Sequence, residues 1–349
     1  MLRAVLLLLA ASACATASGR IQNDVVFTRY SPLSRPHEVA RRILPPLACH
    51  RLERDLAAQH QVLADQGIDL ASEKFDVFVP SSPPPPAGYG LVVYIAPSSG
   101  PLQLRDWDEP LARRRLILVS PQRAGNDANV LDRRVPLALL AYDNARARFP
   151  IDGHRVYVMG FSGGARTAEL VALAYPDVFR GAVLNAGSDP IDGKDGHYKP
   201  PAELFRMFQR SRLVFVTGDH DEDRLRQDDR SRDSLRASCV LDIESQVALR
   251  RGHEAIDGFA LDHALAALEA APPVDTDELA RCDARTQAAL AAVLDKAAAA
   301  IARGERDAAS AQLDAIDAQF GGLAAPRIIE LADRLDAPRP PPAPAAAPP

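Results

Sequence analysis

Hydrophobic positions along this chain come in short, fully apolar runs separated by longer amphipathic stretches. Phe75-Asp76-Val77-Phe78-Val79 alternates like a strand. Leu91–Ile95, Leu116–Val119, Val156–Met159, Ala182–Leu184 and Leu213–Val216 are unbroken apolar runs, each too short for a buried helix. Leu241–Leu249 is a further strand-like segment. Between the runs, helical spacing predicts helices over 137–147, 164–175, 202–209 and 259–268. Strands apolar on both faces, alternating with helices, predict a mostly parallel sheet covered on both sides. Such sheets carry their sites at the carboxyl ends of the strands.

Outside this block the pattern changes. Apolar residues near helical spacing (Val39, Ile43, Leu47, Leu52, Leu56) predict one helix over 37–66. Residues 275–303 and 305–320, rich in Ala, Leu, Asp and Arg with Gly304 between them, predict a helical hairpin, followed by a short helix over 326–335. Most of its apolar residues are Ala, so thin packing is expected there. The expected organisation is a leader (1–19), an N-terminal helical extension (20–72), an α/β catalytic domain (73–270), a C-terminal helical extension (271–337) and a disordered Pro/Ala tail (338–349).

The leader reads as an export signal: Arg3, an apolar stretch, then Ser12-Ala13-Cys14-Ala15. Cleavage nearby gives a periplasmic or secreted protein; lipidation of Cys14 gives a membrane-anchored one. That apolar stretch is too short to span a bilayer and no later segment is long enough, so no transmembrane segment is expected. Of Cys49, Cys239 and Cys282, one pair is expected to bridge in an oxidising compartment, with three pairings open. No two cysteines have metal-ligand spacing, and neither metal nor organic cofactor is expected. The net charge of -5 argues against a nucleic-acid partner.

Gly160-Phe161-Ser162-Gly163-Gly164 fits G-x-S-x-G, with a strand-like run before it and a helix-like run after it. That strand-turn-helix context is what a nucleophile elbow needs, and it makes Ser162 the candidate nucleophile. Serine needs a base to take its proton. In folds built on this elbow the order along the chain is Ser, acid, His. Among His197, His220, His253 and His263, His253 lies in a loop after a strand-like segment, where the base belongs. The acid is expected on the loop after Leu213–Val216, where Asp221 is favoured over Asp219 and Asp223. Gly163 N–H and Ser98 N–H, with Ser99 behind it, are the candidate oxyanion donors; Pro97 has no N–H to give.

The stretch Phe149–Gly164 resembles the D-x-x-R-V-Y-V-x-G-x-S-x-G-G run of the poly(3-hydroxybutyrate) depolymerase and feruloyl-esterase group of α/β-hydrolases. The resemblance runs from about Phe75 to Leu268. It implies an α/β-hydrolase fold, a nucleophile at Ser162, an acid at Asp221 and a base at His253. Ala96-Pro97 departs from the His-Gly usual in that group, and Glu222-Asp223 makes the acid loop unusually acidic. The implied reaction is hydrolysis of a short acyl ester or a hydroxyalkanoate oligomer through an acyl-enzyme. The rivals are a serine peptidase of the same fold and a non-catalytic binding or scaffold protein of the cell envelope.

Overall fold

In the computed structural model, the described residues are 19–65, 67–193, 196–270 and 274–337. The leader, with Cys14, and the Pro/Ala tail lie outside the described residues. Among these residues one sheet contains eight strands in the order β1-β2-β4-β3-β5-β6-β7-β8. They are β1 (Gly19–Val25), β2 (Phe75–Pro80), β3 (Tyr89–Ile95), β4 (Leu116–Pro121), β5 (Ile151–Phe161), β6 (Gly181–Asn185), β7 (Arg212–Gly218) and β8 (Ile243–Ala248). β2 runs antiparallel to both β1 and β4; every other neighbouring pair is parallel.

The period of two sorts the central side chains onto two faces. Leu91, Val93, Ile95, Ile117, Val119, Val156 and Val158 join one buried cluster with the helices α4 (Val135–Arg148) and α5 (Gly163–Ala174). Val92, Tyr94, Leu116, Leu118, Tyr157 and Met159 join another with α3 (Asp108–Arg113) and α8 (Gly258–Glu269). Both faces are covered, which is why these runs carry no polar alternation.

Two expectations need correction, and one element was not anticipated. Residues 20–25, read as the start of a helical extension, belong with Gly19 to the edge strand β1, with Ile21 opposite Phe78. The single helix over 37–66 is two, α1 (Pro36–Ile43) and α2 (Pro46–Ala58). Pro45 and Pro46 separate them, because proline disfavours the helical conformation of the residue before it and lacks an N–H. Between α6 (Ala202–Phe208) and β8, the chain also forms α7 (Glu222–Ala237), which no apolar stripe announces.

The C-terminal helices α9 (Thr276–Ala302), α10 (Arg306–Phe320) and α11 (Arg327–Asp336) bury more than alanine. Leu290, Leu294, Leu313, Ile316, Phe320, Ile328 and Leu331 form a core of their own, closed by Leu47 from α2. Asp317 accepts the Leu47 N–H at 3.2 Å, and the Lys199 ammonium donates to the Gln319 carbonyl at 2.9 Å. A disulfide joins Cys239, just after α7, to Cys282 in α9, and Cys49 is free. Among the described residues no helix is long and apolar enough to cross a membrane.

Candidate active site

Ser162 stands between the end of β5 and the start of α5 with φ 55° and ψ -124°, a backbone conformation that costs a non-glycine residue energy. The turn is held from outside: the Ser162 N–H donates to the Asn185 carbonyl at 2.8 Å. The glycines around it are demanded by close approach. A Cβ on Gly160 would lie 2.3 Å from the Gly164 carbonyl carbon, and one on Gly164 would lie 2.0 Å from the Ile95 oxygen. The sharp bend thus lifts the Ser162 hydroxyl clear of the carboxyl edge of the sheet.

The structure brings Ser162, His253 and Asp221 together. Ser162 Oγ lies 2.9 Å from His253 Nε2, and His253 Nδ1 lies 2.6 Å from Asp221 Oδ2. His253 comes from the loop after β8, and Asp221 is the residue that leads into α7. The Asp221 side chain is 10% exposed and the His253 side chain 41%, so the imidazole is open to a ligand while its partner is sheltered. The neighbouring aspartates turn elsewhere. Asp219 accepts the Arg251 N–H at 3.1 Å, and hydrogen bonds from backbone N–H groups, that of Arg250 foremost, hold its carboxyl below the usual range. Asp223 pairs with Arg226 on the surface of α7. Of the other candidate histidines, His263 lies against Phe259 and His220 is exposed near Asp219, while His197 lines a cleft that Ser162 also lines, its imidazole pushed toward the neutral form by burial.

Gly163 opens α5, so its N–H is at the positive end of the helix. Ser98 lies in the loop after β3 and lines a cleft of about 450 Å³ together with His253, Phe161 and Trp107. That loop is braced. The Pro97 carbonyl accepts the Asn126 N–H at 2.8 Å, and the Arg134 guanidinium reaches the Ala96 carbonyl at 3.4 Å. The hydroxyl of Ser99 is tied to Asp127 at 3.1 Å.

Two residues that hold the site together were not singled out in the sequence. Asn185, fully buried at the end of β6, accepts the Ser162 N–H through its carbonyl. Its side chain donates to the Val216 carbonyl at 3.0 Å and accepts the Ile256 N–H at 3.0 Å. One residue therefore ties the elbow, the acid-bearing strand and the chain just past His253. Its signal is a polar amide at the end of an otherwise apolar strand. Asn126 packs its side chain against Gly163, at the point where a Cβ would meet Oδ1 at 2.2 Å, while its backbone holds Pro97; nothing in the sequence marks it.

A second cleft, of about 430 Å³, opens on Ser162 and Gly163 and is lined by Arg134, Arg166 and Arg224. A larger hollow of about 870 Å³ near the disulfide contains none of the residues that meet at Ser162. Among the described residues no cluster of three or more His, Cys, Asp or Glu is arranged to hold a metal ion.

No family model matches this chain. Over 45 residues, 13% of its length, it is 51% identical to poly(3-hydroxyalkanoate) depolymerase C of Paucimonas lemoignei, and the matched stretch spans 11% of that relative. Among solved structures it is similar to the S-formylglutathione hydrolase of Staphylococcus aureus, at 15% identity over 55% of this chain and 89% of that one, TM-score 0.40. A ferulic acid esterase is similar at 14% identity over 55% and 89%, TM-score 0.42. The strand order of the sheet and the bend at Ser162 are this chain's own, and they make its fold that of an α/β-hydrolase.

Proposed function

We propose that the protein hydrolyses carboxylic esters through an acyl-enzyme on Ser162. The observation that carries this reading is the unbroken contact from Ser162 Oγ to His253 Nε2 and from His253 Nδ1 to Asp221. Ser162 Oγ attacks the ester carbonyl while His253 Nε2 takes its proton. Asp221 holds the Nδ1–H tautomer and stabilises the imidazolium that forms. The developing oxyanion is met by the N–H groups of Gly163 and Ser98, worth about 3 kcal/mol each if lost. His253 then returns the proton to the leaving alcohol, and the same imidazole activates the water that releases the acid.

The substrate is read as a short acyl ester or a hydroxyalkanoate oligomer; both clefts beside Ser162 are of small-molecule size. The leader and the Cys239–Cys282 bridge support export to an oxidising compartment, with lipidation of Cys14 as the route to a membrane anchor. The test is labelling by a fluorophosphonate probe together with turnover of 4-nitrophenyl esters, with Ser162→Ala alongside and its fold checked by circular dichroism. Both signals are expected to vanish in the variant. Equal signals in the two proteins, or none in either, would favour the scaffold reading.

A further inference from the structure

The cleft on the Ser162 side is built unlike an ordinary apolar acyl pocket. Its lining holds three guanidinium groups, Arg134, Arg166 and Arg224, against one carboxylate, Asp189. Arg134 is 4% exposed, yet among the described residues no carboxylate lies within ion-pair distance of it. Its Nε donates to the Ala124 carbonyl at 2.8 Å and its Nη2 to the Ala96 carbonyl at 3.4 Å, neutral acceptors in place of a carboxylate. Burial lowers its proton affinity; the charge of Asp127, which is not in contact with it, offsets part of that, and the charge of nearby Arg166 adds to it. Arg224 reaches the side-chain oxygen of Gln227, also neutral. Arg166 alone has an ionic partner, Asp189 at 2.7 Å.

This is not how the chain treats buried arginine elsewhere. Arg42, equally buried, is forked onto Asp177 at 2.6 and 3.0 Å and bonds Glu38 at 2.6 Å. A buried cation with no carboxylate in direct contact is costly, and two more cations facing the same space raise that cost. The arrangement relaxes when an anion enters, and guanidinium groups suit planar carboxylates.

The two clefts also divide the substrate. The one that contains His253 receives the alcohol, because Nε2 must return a proton to it. The one that contains Ser162 and Gly163 but not His253 is left for the acyl chain. Resting on the hydrolase reading above, we infer that the preferred substrate is an ester whose acyl half ends in a second, negatively charged group, as in the half-esters of dicarboxylic acids, and that Arg134 and Arg224 receive that group. Hydroxyalkanoate oligomers carry their free carboxylate on the alcohol half and are therefore the poorer substrates.

The experiment compares mono-4-nitrophenyl adipate with 4-nitrophenyl hexanoate, which share a six-carbon acyl chain and differ in the terminal charge. After subtraction of spontaneous hydrolysis, kcat/KM for the adipate should exceed that for the hexanoate by about tenfold or more in low salt. The ratio should shrink as salt is added and should fall toward one in Arg224→Gln. Arg134→Gln should lower it too; if that protein does not fold, Arg224→Gln and the salt titration still decide. A ratio near or below one in the native protein, or a high ratio that survives Arg224→Gln, would overturn the inference while leaving ester hydrolysis intact. Absence of turnover on both esters, with no fluorophosphonate labelling, would sink the hydrolase reading itself. Faster cleavage of a 3-hydroxybutyrate dimer than of the adipate would move the anion to the alcohol side and refute the assignment of clefts.

Discussion

Replacing Gly164 by alanine separates a glycine required by geometry from one that merely occupies a turn. The added Cβ would stand 2.0 Å from the Ile95 carbonyl oxygen and 2.9 Å from its carbon. Relief to ordinary contact, which begins at 3.4 Å, needs a displacement of more than 1 Å. Ile95 cannot readily supply it, because β5 pairs with it directly and β4 holds β3 as far as Val93. The movement falls instead on α5, whose first residue follows Ser162 directly. Overpacking of this kind costs about 1–3 kcal/mol, and for a chain of this size each kcal/mol lowers Tm by about 1.5 °C. A nucleophile displaced by about 1 Å loses about 10²-fold in rate. Gly164→Ala should therefore melt roughly 1.5–4.5 °C lower and label with fluorophosphonate about 10²-fold more slowly. Gly153→Ala is the control: nothing lies within 4 Å of its Cβ, and its stability should stay within about 0.5 kcal/mol of native. A Gly164→Ala protein with native Tm and native labelling rate would refute the claim that strand and helix must meet there.

Asp221→Asn should lower kcat on 4-nitrophenyl esters by about 10³–10⁴-fold, while Asp219→Asn, which contacts a backbone N–H rather than His253, should cost tenfold at most. Similar losses in the two variants would reassign the acid. Burial pushes the Asp317 carboxyl up from 3.8 to about 6, so the folded protein holds that proton more tightly than the unfolded chain. The stabilisation from protonation is therefore complete below about pH 4 and is lost as pH rises through about 6. Asp317→Asn, which retains an acceptor for the Leu47 N–H, should be about 1–2 kcal/mol more stable than native at pH 7.5 and equal to it at pH 4 by urea denaturation, the full shift being discounted for partial solvent access. Cys282→Ser opens a loop with a sequence separation of 43 and should lower stability by about 2–4 kcal/mol. Reductant should destabilise the native protein to the same extent and leave Cys282→Ser unchanged.

Legibility varied with how far each feature depends on near neighbours. The apolar runs at Leu91–Ile95 and Leu213–Val216 announced buried strands, because side chains covered on both faces leave no polar alternation. α7 stayed hidden because it has almost no apolar stripe. It is held by ion pairs such as Arg226–Asp223 and Arg232–Asp229, and by polar contacts such as Ser231 donating to Glu169 at 3.0 Å. β1 went unread because its sequence, Gly19-Arg20-Ile21-Gln22-Asn23-Asp24-Val25, suits an edge strand only where β2 is there to receive it.

The sequence by itself determined the elbow, since a G-x-S-x-G-G run between an apolar strand and a helix leaves the backbone one economical path. It also determined the order in which serine, acid and histidine follow one another. Which of Asp219, Asp221 and Asp223 meets His253 was decided only by tertiary structure, since all three sit within five residues and only the packing of two loops aims one at the imidazole. The same holds for the choice of Cys239 with Cys282, for Asn185 as the tie between the elbow, β7 and the chain past His253, and for Arg134 buried beside Ser162 with no carboxylate in direct contact. Each joins residues distant along the chain, and such contacts have no local periodicity by which a sequence could display them.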